Sequence, residues 1–128
     1  KGAKTVRKLY VNVVKYTANQ APVITFARDT QLKMTDNGYV LDLKYKQDIG
    51  KTLPEQEEAL RKMIKEVVTD NDNRGIAIIA DYDFDLINTD LAGKSYTLTI
   101  KATDNGDRDG KNVLSDTKVI TINILKQQ

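Results

Sequence analysis

Apolar and polar side chains alternate with period two along most of this chain, which restricts it to sheet architectures. In Tyr96-Thr97-Leu98-Thr99-Ile100-Lys101-Ala102-Thr103 the apolar positions are separated by threonine or lysine. Successive side chains on a strand point to opposite faces, so such a segment has one core face and one solvated face. Val119-Ile120-Thr121-Ile122-Asn123-Ile124-Leu125 follows the same rule, with Ile120, Ile122 and Ile124 inward. Tyr39, Leu41, Leu43 and Tyr45 alternate with Val40, Asp42, Lys44 and Lys46. Shorter strands are expected at 23–26, 31–34 and 75–80. Clean alternation favours antiparallel sheets wetted on one face over a doubly wound parallel sheet.

One segment breaks the period. Thr52-Leu53-Pro54-Glu55 has the form of a capping box, with Pro54 in the first turn, where a missing N–H costs nothing. Leu60, Met63, Ile64, Val67 and Val68 then fall at helical spacing and predict a helix over about 53–68. Glu55, Glu57 and Glu58 lie toward the positive end of its dipole, and Arg61, Lys62 and Lys65 follow toward the other end. Glu57 with Arg61 and Glu58 with Lys62 are favourable pairs four apart. The apolar stripe is expected to pack on the sheet.

Composition narrows the chemistry. The chain of 128 residues has no cysteine, no histidine and no tryptophan. Disulfides, thiolate zinc sites and cysteine nucleophiles are excluded, and the commonest general base is missing. Twenty lysines and arginines face eighteen carboxylates, scattered along the chain. Nucleic acid requires a clustered basic face, so it is not an expected partner. No apolar run reaches the roughly eighteen residues of a membrane helix, and membrane insertion is not expected either. A first residue of Lys1 suggests a piece cut from a longer precursor.

Leu9-Tyr10-Val11-Asn12-Val13-Val14-Lys15 echoes Ile120-Thr121-Ile122-Asn123-Ile124-Leu125-Lys126 at about one domain length, as tandem repeats would. On that basis 1–19 form a strand and linker that end a preceding repeat, and 20–128 form one β-sandwich domain. Chance likeness of two strands is the plainer alternative.

Three segments resemble the cadherin-like repeats of bacterial surface proteins: Ala21-Pro22-Val23-Ile24; Gly75-Ile76 through Asp81-Tyr82-Asp83; and Tyr96 through Asp104-Asn105-Gly106. The last is similar to the family's Tyr-x-Leu-x-Val-x-Ala-x-Asp-x-Gly strand. The resemblance implies a mainly β, antiparallel Ig-like or cadherin-like β-sandwich, here with one inserted helix. It also implies an extracellular place at a cell surface or wall, neighbouring repeats of the same chain as partners, and calcium between repeats. Asp81, Asp83 and Asp104 match the family's metal ligands. The chain departs from the pattern at Tyr16-Thr17-Ala18-Asn19-Gln20, where the family's linker carries carboxylates, and in its helix.

The residues themselves offer two calcium loops. Asn105, Asp107 and Asp109 with Asp116 supply oxygens at positions one, three, five and twelve, with Gly110 at the sharp turn. A long hairpin loop rich in turn formers explains the same residues without metal. Asp70-Asn71-Asp72-Asn73-Arg74-Gly75 with Asp81 repeats the spacing, but Arg74 would oppose a cation. Two further constellations are a Lys33–Asn123 isopeptide assisted by Asp42, and a glycosidase pair at Asp83 and Asp85. Period two puts Asn123 on the wet face, which disfavours the first, and no aromatic platform accompanies the second. The expected function is therefore a non-catalytic structural repeat, a spacer or stalk, with calcium as its candidate cofactor. The alternative is an adhesin module that contacts host protein or glycan through its loops. A carboxylate hydrolase is a third class.

Overall fold

The long alternating segments form the centre of a five-stranded sheet in a computed structural model that describes residues 20–70, 79–104 and 113–126. The strand expected at 9–15, and with it the repeat boundary at 1–19, lies outside the described residues. Among them the order is β1 (Val23–Phe26), β2 (Lys33–Thr35), β3 (Gly38–Leu43), α1 (Leu53–Ile64), β4 (Glu66–Thr69), β5 (Asp81–Asp83), β6 (Ser95–Thr103) and β7 (Ser115–Ile124). The larger sheet runs β2-β3-β7-β6-β5, and β1 pairs with β4 in a second, two-stranded sheet. The described residues are thus mainly β, with two sheets and one inserted helix, a β-sandwich arrangement.

Register explains the sequence periodicity. Leu98 lies opposite Ile120 and Tyr96 opposite Ile122 across the β6–β7 pair, all on the face turned to the core. Leu41 and Leu43 on β3 stand beside Ile122 and Ile124. The opposing layer contributes Ile24 from β1 and Leu60 and Ile64 from α1, and all these side chains except the half-buried Tyr96 are at most 1% exposed. Their threonine, serine and asparagine neighbours face water, as the alternation requires.

The structure corrects three expectations. β3 and β7 pair in parallel, while the other four strand pairs are antiparallel. No hairpin joins these two strands, so the connection imposes no antiparallel sense. Of the strand expected at 75–80, residues 75–78 lie outside the described residues, while 79 and 80 belong to no strand and pairing begins at Asp81.

The third correction concerns the helix, which ends at Ile64 and not at 68. Lys65 adopts the left-handed conformation (φ 57°), and its N–H closes the last turn on the Arg61 carbonyl. Val67, Val68 and Thr69 then pair with β1, Val68 directly opposite Ile24. Branching at Cβ makes these residues better suited to a strand than to another helical turn. The other end of the helix matches the capping box: the Thr52 hydroxyl accepts from the Glu55 N–H, and the Glu55 carboxylate accepts from the N–H groups of Lys51 and Thr52.

Candidate functional site

The helix meets the edge of the large sheet through Arg61. Its guanidinium donates to Glu57 at 3.1 Å, to Glu66 at 3.2 Å and to the carbonyl of Ala80. It also lies over the Tyr82 ring, 4.2 Å from the centroid. The Tyr82 hydroxyl donates to the other oxygen of Glu66. Burial, and then this bond to a carboxylate, push the Tyr82 phenol well above its ordinary range. It therefore stays protonated at physiological pH.

Beside this cluster a cleft of about 340 Å³ opens between the first turns of α1 and β5, lined by Leu53, Pro54, Glu57, Tyr82, Asp83 and Phe84. Its walls are apolar and both of its charged groups are carboxylates. Glu57 is held by Arg61, whereas Asp83 is exposed and makes no ion pair among the described residues. β5 is the last strand of its sheet, and nothing among the described residues pairs with its outer side.

A second polar link ties the first turn of α1 to the loop after β5. Gln56 is buried; its amide nitrogen donates to the carbonyls of Gly50 (3.2 Å) and Ile87 (2.9 Å), and its oxygen accepts from the Ile87 N–H (2.9 Å). The loop after β5 is thereby fastened to the helix. Neither Gln56 nor the Glu66–Tyr82 bond was legible in the sequence. A glutamine on the apolar side of an amphipathic helix was the one available signal for the former, and the misplaced helix end concealed the latter.

Of the residues expected to bind calcium, Asp81, Asp83, Asp104 and Asp116 fall among the described residues. Asn105, Asp107 and Asp109 lie outside the described residues. Asp116 stands inside β7 on the core side, where one oxygen accepts from the Ile24 N–H (2.8 Å) and the other from the Thr117 N–H (2.9 Å). The Lys118 ammonium is 3.8 Å from that carboxylate. These contacts give Asp116 a structural role at the start of β7. Asp81 and Asp83 lie opposite Lys101 and Thr99, on the wet face. Asp104 falls on the core face of the chain after β6, 5% exposed, and its Oδ1 accepts from the Leu114 N–H (2.9 Å). Strand parity thus separates Asp104 from the other two. Asp70 follows β4, and the rest of its loop, 71–75, lies outside the described residues. Among the described residues no three carboxylates gather as a metal site would need.

Lys33, Asp42 and Asn123 do come together. The Lys33 ammonium is 3.0 Å from Asp42, whose other oxygen is 3.5 Å from the Asn123 amide nitrogen. The Ser95 hydroxyl extends the row by donating to the Asn123 carbonyl oxygen at 2.6 Å. The Lys33 side chain is 67% exposed. The row is therefore a solvated cross-strand network. Comparison with protein-family models, with curated proteins and with solved structures finds no match to this chain.

Proposed function

We propose that the protein is a non-catalytic structural module of an extracellular surface protein, a spacer that carries its neighbours end to end. The observation behind this is where the first described strand of the sandwich begins and the last one finishes. The Ile24 amide is fixed to Asp116 at the start of β7, while the chain departs past Ile124 at the finish of the same strand. Eight residue steps separate Asp116 from Ile124, which at about 3.3 Å per residue is roughly 26 Å. Entry and exit at opposite ends of one long strand favour a linear array, because each copy then begins where the last one stops. Beyond Ile124 the exit is also held, with the Leu125 N–H bonded to the Leu43 carbonyl and the Gly93 N–H to the Ile124 carbonyl. A tether fixed at both ends suits transmission of a load.

Small-angle scattering from two copies of the chain joined in tandem tests this. The spacer account expects the maximum dimension to grow by roughly 30 Å with an unchanged cross-section. A cross-section that thickens while the length stays nearly constant would mean side-by-side packing and would remove the basis for the proposal.

A further inference from the structure

We infer that the cleft between α1 and β5 is a docking site for an extended, basic segment of another protein, which adds as a strand to the free edge of β5 and places a lysine or arginine side chain between Leu53, Phe84 and Asp83. This goes beyond the spacer proposal and does not rest on it.

β5 is only three residues long, and nothing among the described residues pairs with its outer backbone groups, which leaves them to a strand of matching chemistry. Exposed apolar side chains flank it: Ile79 is 71% exposed two residues before, Leu86 is 53% exposed three residues after, and Leu53 is 44% exposed across the cleft. Scattered single exposed apolar residues are ordinary, but these lie around one edge and one cleft. Charge then decides which strand would fit. Asp81, Asp83 and Asp85 recur at every second position along and just past the edge. Lys101 stands opposite Asp81, but Asp83 stands opposite the neutral Thr99, so its charge is unanswered within the sheet.

A second copy's β5 would bring like charges together and is disfavoured at this edge. An extended partner with a basic residue is favoured, because a lysine or arginine has an aliphatic stem for the apolar walls and a cation for the carboxylate. Arg61, beside the cleft, does not compete for Asp83, since it is occupied by Glu57, Glu66, the Ala80 carbonyl and the Tyr82 ring.

The probe is an N-acetylated, C-amidated pentapeptide, Thr-Val-Lys-Val-Thr, titrated into the nitrogen-15-labelled chain and followed by amide chemical shifts. The expected result is perturbation confined to 53–57 and 79–86. Replacement of the peptide's lysine by glutamate, or Asp83→Lys in the protein, should weaken binding at least fivefold. Asp83 is exposed, so the variant should keep its melting temperature. Equal binding of the lysine and glutamate peptides would overturn the inference, as would absence of perturbation at millimolar peptide. Shifts at 79–86 that follow protein concentration instead of peptide would assign the edge to a second copy, and would overturn it too.

Discussion

Asp116 joins the beginning of the sandwich to its longest strand, because the two oxygens of one carboxylate hold the amides of Ile24 and Thr117. Asp116→Ala leaves the Ile24 N–H without its partner in a partly buried place, at a cost of about 1–3 kcal/mol. Urea denaturation in millimolar calcium and again in chelator should give the same loss. A loss seen only with calcium would make Asp116 a metal ligand. Glu55 is a titrating link. The Lys51 amide, then the Thr52 hydroxyl and amide, hold its carboxyl below the ordinary value of 4.5. The folded state therefore binds fewer protons than the unfolded chain, and the contribution is present above the ordinary value and lost as pH falls through the folded one. Asp29, lowered by its hydrogen bond to Lys65, adds a slope of the same sign. Glu55→Gln retains a capping acceptor but loses one of these slopes, so wild type and variant should diverge as pH rises from about 3 to 6. Parallel urea midpoints across that range would contradict the assignment.

At the scale of elements, the start of α1 is held by backbone conformation as well as by its cap. Gly50 has φ +112°, and a Cβ there would lie 2.6 Å from the Glu55 Cβ. Gly50→Ala combines left-handed strain with a clash against the first helical turn, so thermal melts should show a destabilisation of about 1–3 kcal/mol. Arg61→Met should cost about 2 kcal/mol, because Glu66 and the Tyr82 hydroxyl lose their cation in a region where the Glu66 side chain is only 16% exposed. A double-mutant cycle with Glu66→Gln should recover part of that loss; strict additivity would show that Arg61 acts elsewhere. The cap of this helix was legible in the sequence, since Thr52, Pro54 and Glu55 are local signals for a local structure. Its end was not. Val67 and Val68 continue the helical stripe on paper, and only pairing of Val68 with Ile24, more than forty residues earlier, draws them into a strand.

Over the whole molecule, the core was legible from period two: Leu41, Leu43, Ile120, Ile122 and Ile124 all lie at most 1% exposed. Leu98→Ala, in the centre of β6, should cost about 2–5 kcal/mol, whereas Val119→Thr on the wet face should stay within about 0.5 kcal/mol. The parallel match of β3 with β7 was not legible, because alternation reports which face a residue takes and nothing about strand direction. The cleft was half legible. Asp81-Tyr82-Asp83-Phe84-Asp85 reads as an edge with wet acids, but its apolar wall comes from Leu53 and Pro54, brought there by the fold.

The separation of entry and exit is the claim on which the spacer proposal depends, and the absence of native cysteine allows it to be measured cleanly. Spin labels at Val23→Cys and Lys126→Cys, both exposed positions, report the distance across the sandwich by pulsed electron resonance. The account predicts a single narrow distribution near 30 Å, about the length of β7 plus one residue step. A distribution centred below about 15 Å would place both ends of the chain on one side, and the end-to-end spacer would be wrong.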